Sequence, residues 1–85
     1  MVRKNQDQRF SEILGEVISA RRERKGLTKT FLAEAVGTRR QLDLIEKGVH
    51  SVTIRTLNAL AERLETSASC LLRAAERQQK LEDSK

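Results

Sequence analysis

Tryptophan, tyrosine and proline are absent from the 85 residues, and cysteine, histidine and methionine occur once each. Two phenylalanines are the whole aromatic content. That leaves little to stack on unpaired bases and disfavours single-strand binding. Cys70 alone forms no internal disulfide, and with His50 as the only histidine one chain cannot assemble a Cys/His metal site. Nucleophilic triads and histidine acid–base pairs have no evident members. The inventory therefore argues against an enzyme and implies neither cofactor nor metal. Apolar runs are only a few residues long, far from the roughly 20 that a bilayer requires. No charged–apolar–small-residue leader opens the chain, so secretion is not indicated. The expected location is the cytoplasm. One small domain is expected, with a core worth only ~3–5 kcal/mol, which favours self-association.

What is present is positive charge, unevenly placed. There are 17 Lys+Arg against 12 Asp+Glu, a net +5, and the pI is near 10.0. Residues 1–47 hold 11 basic and 7 acidic residues, whereas residues 48–85 hold 6 and 5. Arg21, Arg22, Arg24, Lys25 and Lys29 crowd one stretch with only Glu23 opposing, and Arg39 and Arg40 follow. Charge alone fits a solvated helix end as well as a phosphate-facing patch.

Helical periodicity dominates, and no strand alternation is evident. Residues 1–9 read as a polar arm, 10–77 as the domain and 78–85 as a polar tail. A first helix is expected from about Asp7–Ser11 to Lys25, with Gly26 as its left-handed stop. Thr28 caps a second helix running to Val36, ended by Gly37. Thr38 caps a third from Arg39 to Lys47, stopped by Gly48. Thr53 caps a fourth, Ile54 to Leu64, with Ile54, Leu57, Leu60, Ala61 and Leu64 as its apolar stripe. Ser67 caps a fifth, with Ala68, Leu71, Leu72 and Ala75 turned inward. The four glycines lie eleven apart, but the intervening residues do not match, so this is no repeat.

Thr28 to Gly48 is the informative stretch: two short helices around a tight turn. With Leu42 as origin and ~100° per residue, Ile45 and Glu46 flank the inner face of the third helix. Arg40 and Leu44 point nearly opposite, with Asp43 and Lys47 to one side. A macrodipole disfavours cations at a helix start, so Arg39 and Arg40 need another reason to be there. Major-groove entry supplies one: Arg bonds guanine O6 and N7, Asp43 accepts from cytosine N4 or orients an arginine, and Leu44 meets a thymine methyl.

Five segments in order resemble lambda-repressor-like (XRE-type) DNA-binding domains. They are Leu14-Gly15-Glu16-Val17-Ile18-Ser19-Ala20-Arg21-Arg22, Gly26-Leu27-Thr28-Lys29 with Leu32-Ala33-Glu34, and Ile45-Glu46-Lys47-Gly48. The fourth joins Thr53-Ile54-Arg55-Thr56-Leu57 to Leu60, Ala61 and Leu64, and the fifth joins Ser67 to Leu71-Leu72. The match covers roughly residues 13–72. It implies an all-α, five-helix fold, with a helix-turn-helix at the second and third helices. It also implies a sequence-specific duplex-DNA regulator of transcription, bacterial or phage, binding a pseudo-palindromic operator as a homodimer.

On that resemblance Arg39, Arg40, Asp43 and Leu44 are the base contacts, and Lys29, Thr28, Thr38, Lys47, His50 and Ser51 the phosphate contacts. For His50 and Ser51 an ordinary surface loop is the stronger reading. Arg22 and Glu46 match a family pair that joins helices one and three through a buried salt bridge. Cys70, Leu71, Leu72 and Ala75 fall on the fifth helix, through which the family commonly dimerises. Cys70 is expected to be a small buried hydrophobe, and Phe31 to pack at the core edge. Three features depart from the family. The turn at Gly37-Thr38 is one residue short, Val52 replaces a proline, and Glu65 replaces a glycine. A restriction–modification controller is the role expected, with an antitoxin-type or phage-type repressor as alternatives. A toxin or RNA polymerase is the protein partner such regulators imply, and the sequence does not choose between them. A protein-interaction module that has lost DNA readout, using Phe31, Leu44 and the tail, is the competing class.

Overall fold

The computed structural model describes residues 6–50 and 52–84, with side chains from residue 8. Five helices follow one another: α1 Gln6–Arg24, α2 Lys29–Ala33, α3 Arg39–Glu46, α4 Ile54–Arg63 and α5 Ala68–Asp83. No strand occurs among the described residues, and the five helices give an all-α fold. Four helices start on a hydroxyl cap. Thr28, Thr38, Thr53 and Ser67 accept from the amides of Phe31, Gln41, Thr56 and Cys70, at 3.0–3.1 Å. Each cap satisfies an amide that the helix itself leaves unpaired.

Three helices end in one way. Leu27 N bonds Arg22 O (3.0 Å), Val49 N bonds Leu44 O (2.9 Å) and Thr66 N bonds Ala61 O (2.9 Å). Each closure turns the preceding residue left-handed: Gly26 at φ 70°, Gly48 at 78° and Glu65 at 58°. Only Glu65 carries a side chain there, which accounts for glycine being the usual residue after the fourth helix.

The core is Ile13, Leu14, Ile18, Leu32, Leu42, Ile45, Leu57, Leu60, Leu64 and Leu71, with Ala33, Ala61 and Ala75 filling between them. Helix α1 packs against both α3 and α5, α2 packs on α3, and α4 packs on α5. Helices α1 and α5 run antiparallel. Arg9 bonds Glu82 at one end, with Nε–Oε1 at 3.0 Å, and Arg21 reaches Thr66 at the other.

Several expectations are corrected. Helix α1 begins at Gln6, one residue before the earliest start expected, and α5 continues to Asp83, so the polar stretch from residue 78 is helical up to that point. The Arg9–Glu82 pair, with Glu12 also on Arg9, fastens these two polar ends together. Helix α2 stops at Ala33 rather than Val36. Ala35 N and Val36 N bond back three residues, and Gly37 N bonds Ala33 O at 2.8 Å, so the chain tightens into the turn. Ile54 is 79% exposed, because the apolar stripe of α4 reaches the core only from Leu57 onward. Phe31 is 41% exposed; Arg63 lies over its ring at 4.9 Å and donates to Phe31 O and Glu34. Cys70 is exposed, because its neighbour Leu71 takes the inward direction.

Candidate nucleic-acid interface

Helix α3 is held by its inner face. Leu42 is fully buried and Ile45 nearly so. Two further contacts fix it to α1. Nε of Arg22 donates to Glu46 at 2.9 Å, with both side chains about nine-tenths buried, and Nη1 of Arg22 donates to Leu27 O at 3.2 Å. The other contact is Gly15. A Cβ there would lie 2.4 Å from Ile45 O and 2.5 Å from Glu46 O, so only a glycine lets α1 meet the C-terminal end of α3 this closely. Gly48 makes the reciprocal approach, its Cβ position falling 2.4 Å from Glu12 Cα. In the sequence Gly15 stands out only as part of the segment that resembles the family's opening helix. Its cost in helix propensity is the one local signal that something else holds it there.

The outer face of α3 stays open. Arg39 and Arg40 are exposed and form no ion pair among the described residues. Lys47, the C-cap, is exposed, and Leu44 is half-buried. Asp43 is half-buried and takes Lys29 from α2 at 3.0 Å. That hydrogen bond holds the Asp43 carboxyl below its ordinary range, with smaller help from the charges of Lys29, Arg39 and Lys47. One carboxylate therefore sits among three cations drawn from two helices. The sequence reading placed Lys29 and Asp43 separately. Their meeting depends on how α2 crosses α3, which residue spacing does not report.

Thr28 and Thr38 stand at the starts of α2 and α3, each accepting one amide and keeping its own hydroxyl proton to donate. His50 is exposed beyond α3, in the turn closed on Leu44 O. Ser51 lies outside the described residues. The structure thus brings Thr28, Lys29, Thr38, Arg39, Arg40, Asp43 and Lys47 onto the α2–α3 unit.

The residues expected on a dimer face do not form one surface. Leu71 and Ala75 are fully buried in the chain's own core. Leu72 and Cys70 are ~200° apart around α5 and face different sides. Leu72 borders an apolar cleft with Phe10, Leu14, Val52, Ile54 and Leu57, whereas Cys70 borders a pocket with Arg21, Arg73 and Arg77. Among the described residues no helix is long and apolar enough to cross a membrane.

Residues 18–69 match the family model described as helix-turn-helix, from the middle of α1 into the first turn of α5. No curated protein matches the chain.

Proposed function

Since the chain belongs to the XRE-type, lambda-repressor-like helix-turn-helix family, and is a DNA-binding transcriptional regulator of that kind, we propose that it reads a pseudo-palindromic duplex operator as a homodimer, with α3 of each protomer in a major groove. The observation that carries this reading is the pair Arg39 and Arg40. They form no ion pair among the described residues and stand at the start of a helix whose opposite face is locked to α1 by Gly15 and the Arg22–Glu46 bond. Rigid support on one side and unpaired guanidinium forks on the other suit bidentate recognition of guanine.

Leu44 meets a thymine methyl. Thr28, Thr38 and Lys47 contact phosphates, His50 joins them from the turn after α3, and the sequence reading adds Ser51. Asp43 holds Lys29 through Oδ1 at 3.0 Å, which leaves Oδ2 to accept from cytosine N4. The cation it orients is Lys29, where the expected alternative was an arginine. Lys29, held by that carboxylate beside α3, is a phosphate contact.

The homodimer rests on the cleft beside Ile54. Ile54 projects next to a cleft lined by Phe10, Val52, Leu57 and Leu72. A knob and a hole on one patch are what a two-fold contact requires, because each copy then offers both. Burying Ile54 on dimerisation also removes the largest exposed aliphatic surface of α4 from water.

Selection of bound sequences from random duplex DNA tests the proposal. The expected product is two inverted half-sites one helical turn apart, about 34 Å between centres, bound with an affinity that falls steeply with salt. Absence of any preferred duplex at physiological salt would instead favour the protein-interaction module.

A further inference from the structure

The outer side of α5 carries charge that the groove-facing residues do not use. Arg21 from α1 and Cys70, Arg73, Ala74 and Arg77 from α5 line one shallow pocket, with no carboxylate among them. Arg73 and Arg77 form no ion pair among the described residues. Arg21 makes one hydrogen bond, to Thr66 Oγ1 at 3.4 Å. Other cations of this molecule have found partners: Lys25 has Glu65, Lys29 has Asp43 and Arg63 has Glu34. Arg73 and Arg77 also border a second hollow, with Glu76, Gln79 and Lys80, but form no ion pair with Glu76 there. Three guanidinium groups around one pocket raise its potential and leave donor forks unfilled.

Between the arginines the pocket is lined by Cys70 and Ala74. At ~100° per residue Cys70, Ala74, Arg77 and Leu81 form one stripe on the side of α5 away from Ala75. Leu81 is 57% exposed. Positive charge thus borders a narrow strip of small and apolar side chains. The Cys70 thiol, held below its ordinary value by the hydroxyls of Ser67 and Thr66 and then by the charge of Arg73, agrees with that field.

We propose that this face binds an acidic segment of a partner protein. Its carboxylates engage Arg21, Arg73 and Arg77, and an apolar side chain rests on Cys70 and Ala74. A second copy of this chain is a poor occupant, because a symmetric contact would set the same arginines against each other. The duplex gripped by α3 is a poor occupant too. Arg73 and Arg77 lie on the side of α5 turned away from the buried Leu71 and Ala75 and are not on the α2–α3 unit, and duplex DNA with a persistence length of ~50 nm does not fold back around the domain to reach them. The far-side placement rests on the groove-facing reading of α3, whereas the capture of carboxylates does not. A regulator built this way holds DNA on one side while offering the other to a protein.

The test uses the full chain and a short fluorescein-labelled peptide rich in glutamate, with leucines at helical spacing, followed by anisotropy. The wild type binds it, and the same peptide with glutamine for glutamate does not bind. The double variant Arg73→Ala/Arg77→Ala, checked for helicity by circular dichroism, loses about tenfold or more in peptide affinity. Its affinity for duplex DNA is unchanged. The double variant Arg39→Ala/Arg40→Ala removes the same charge from the other face and keeps peptide binding. Equal loss of peptide affinity in both doubles would reduce the effect to net charge and overturn the proposal. Failure of the wild type to bind the peptide would overturn it as well. Loss of DNA affinity in the Arg73/Arg77 double would do the same, by making this face a DNA contact.

Discussion

Gly15→Ala separates a tertiary requirement from a local preference. In an isolated helix the change is favourable by ~1 kcal/mol, because alanine has the better propensity. In this molecule the new Cβ falls 2.4 Å from Ile45 O, and α3 must withdraw by about 1 Å to restore ordinary contact. The obstacle is backbone, so no rotamer change relieves it. Overpacking of this kind costs about 1–3 kcal/mol, and a carbonyl that cannot turn aside puts the site at the upper end. Set against the propensity gain, the net loss is about 2 kcal/mol. For a domain of this size that lowers the melting temperature by roughly 8–16 °C. Thermal melts by circular dichroism read the shift. Gly26→Ala is the control, because nothing lies within 4 Å of its Cβ position and only the left-handed backbone is at stake. A Gly15→Ala protein as stable as the wild type, or more so, would refute the close approach of α1 and α3.

Three other outcomes follow from the same geometry. Glu46→Ala leaves Arg22 buried without its carboxylate and costs about 3–5 kcal/mol in urea unfolding, whereas Arg22→Met/Glu46→Leu recovers most of it; no recovery would mean that the pair is held for its hydrogen bonds alone. Asp43 and Glu65 both have lowered pKa values, chiefly through hydrogen bonds from Lys29 and Lys25. Their contribution to stability is complete above the ordinary carboxylate range and is lost as pH falls below it through the folded values. Asp43→Asn flattens part of that acid-side decline, and by freeing Lys29 it strengthens binding to non-specific duplex and steepens the salt slope by about one; an unchanged slope would remove Lys29 from the phosphates. Glu65→Gly relieves a left-handed residue at φ 58° and raises the melting temperature despite losing the Lys25 pair, and a fall would rank the ion pair above the backbone strain.

Local signals carried the fold far. The hydroxyl caps at Thr28, Thr38, Thr53 and Ser67 and the stops at Gly26 and Gly48 are short-range chemistry, and each stands where spacing put it. What spacing did not report was set by neighbours distant in sequence. The two polar ends became helix because Arg9 and Glu82, 73 residues apart, meet across the α1–α5 pair. Leu71 and Ala75 were expected both inward and on a dimer face, and both are fully buried in the chain's own core. Cys70 looked apolar by its company, yet one residue of rotation put Leu71 inside and Cys70 outside. In the candidate interface, the outward direction of Arg40 follows from the helical period. The Lys29–Asp43 bond follows only from the docking of α2 on α3.

The central claim is that α3 reads base edges through its N-terminal arginines. Selection from random duplex DNA, run side by side on the wild type and Arg40→Ala, tests it most directly. The account predicts relaxed preference at one base pair in each half-site and a loss of about 1–3 kcal/mol on the selected operator. An equal loss on every sequence, with the salt slope reduced by about one, would make Arg40 a phosphate contact and contradict the claim.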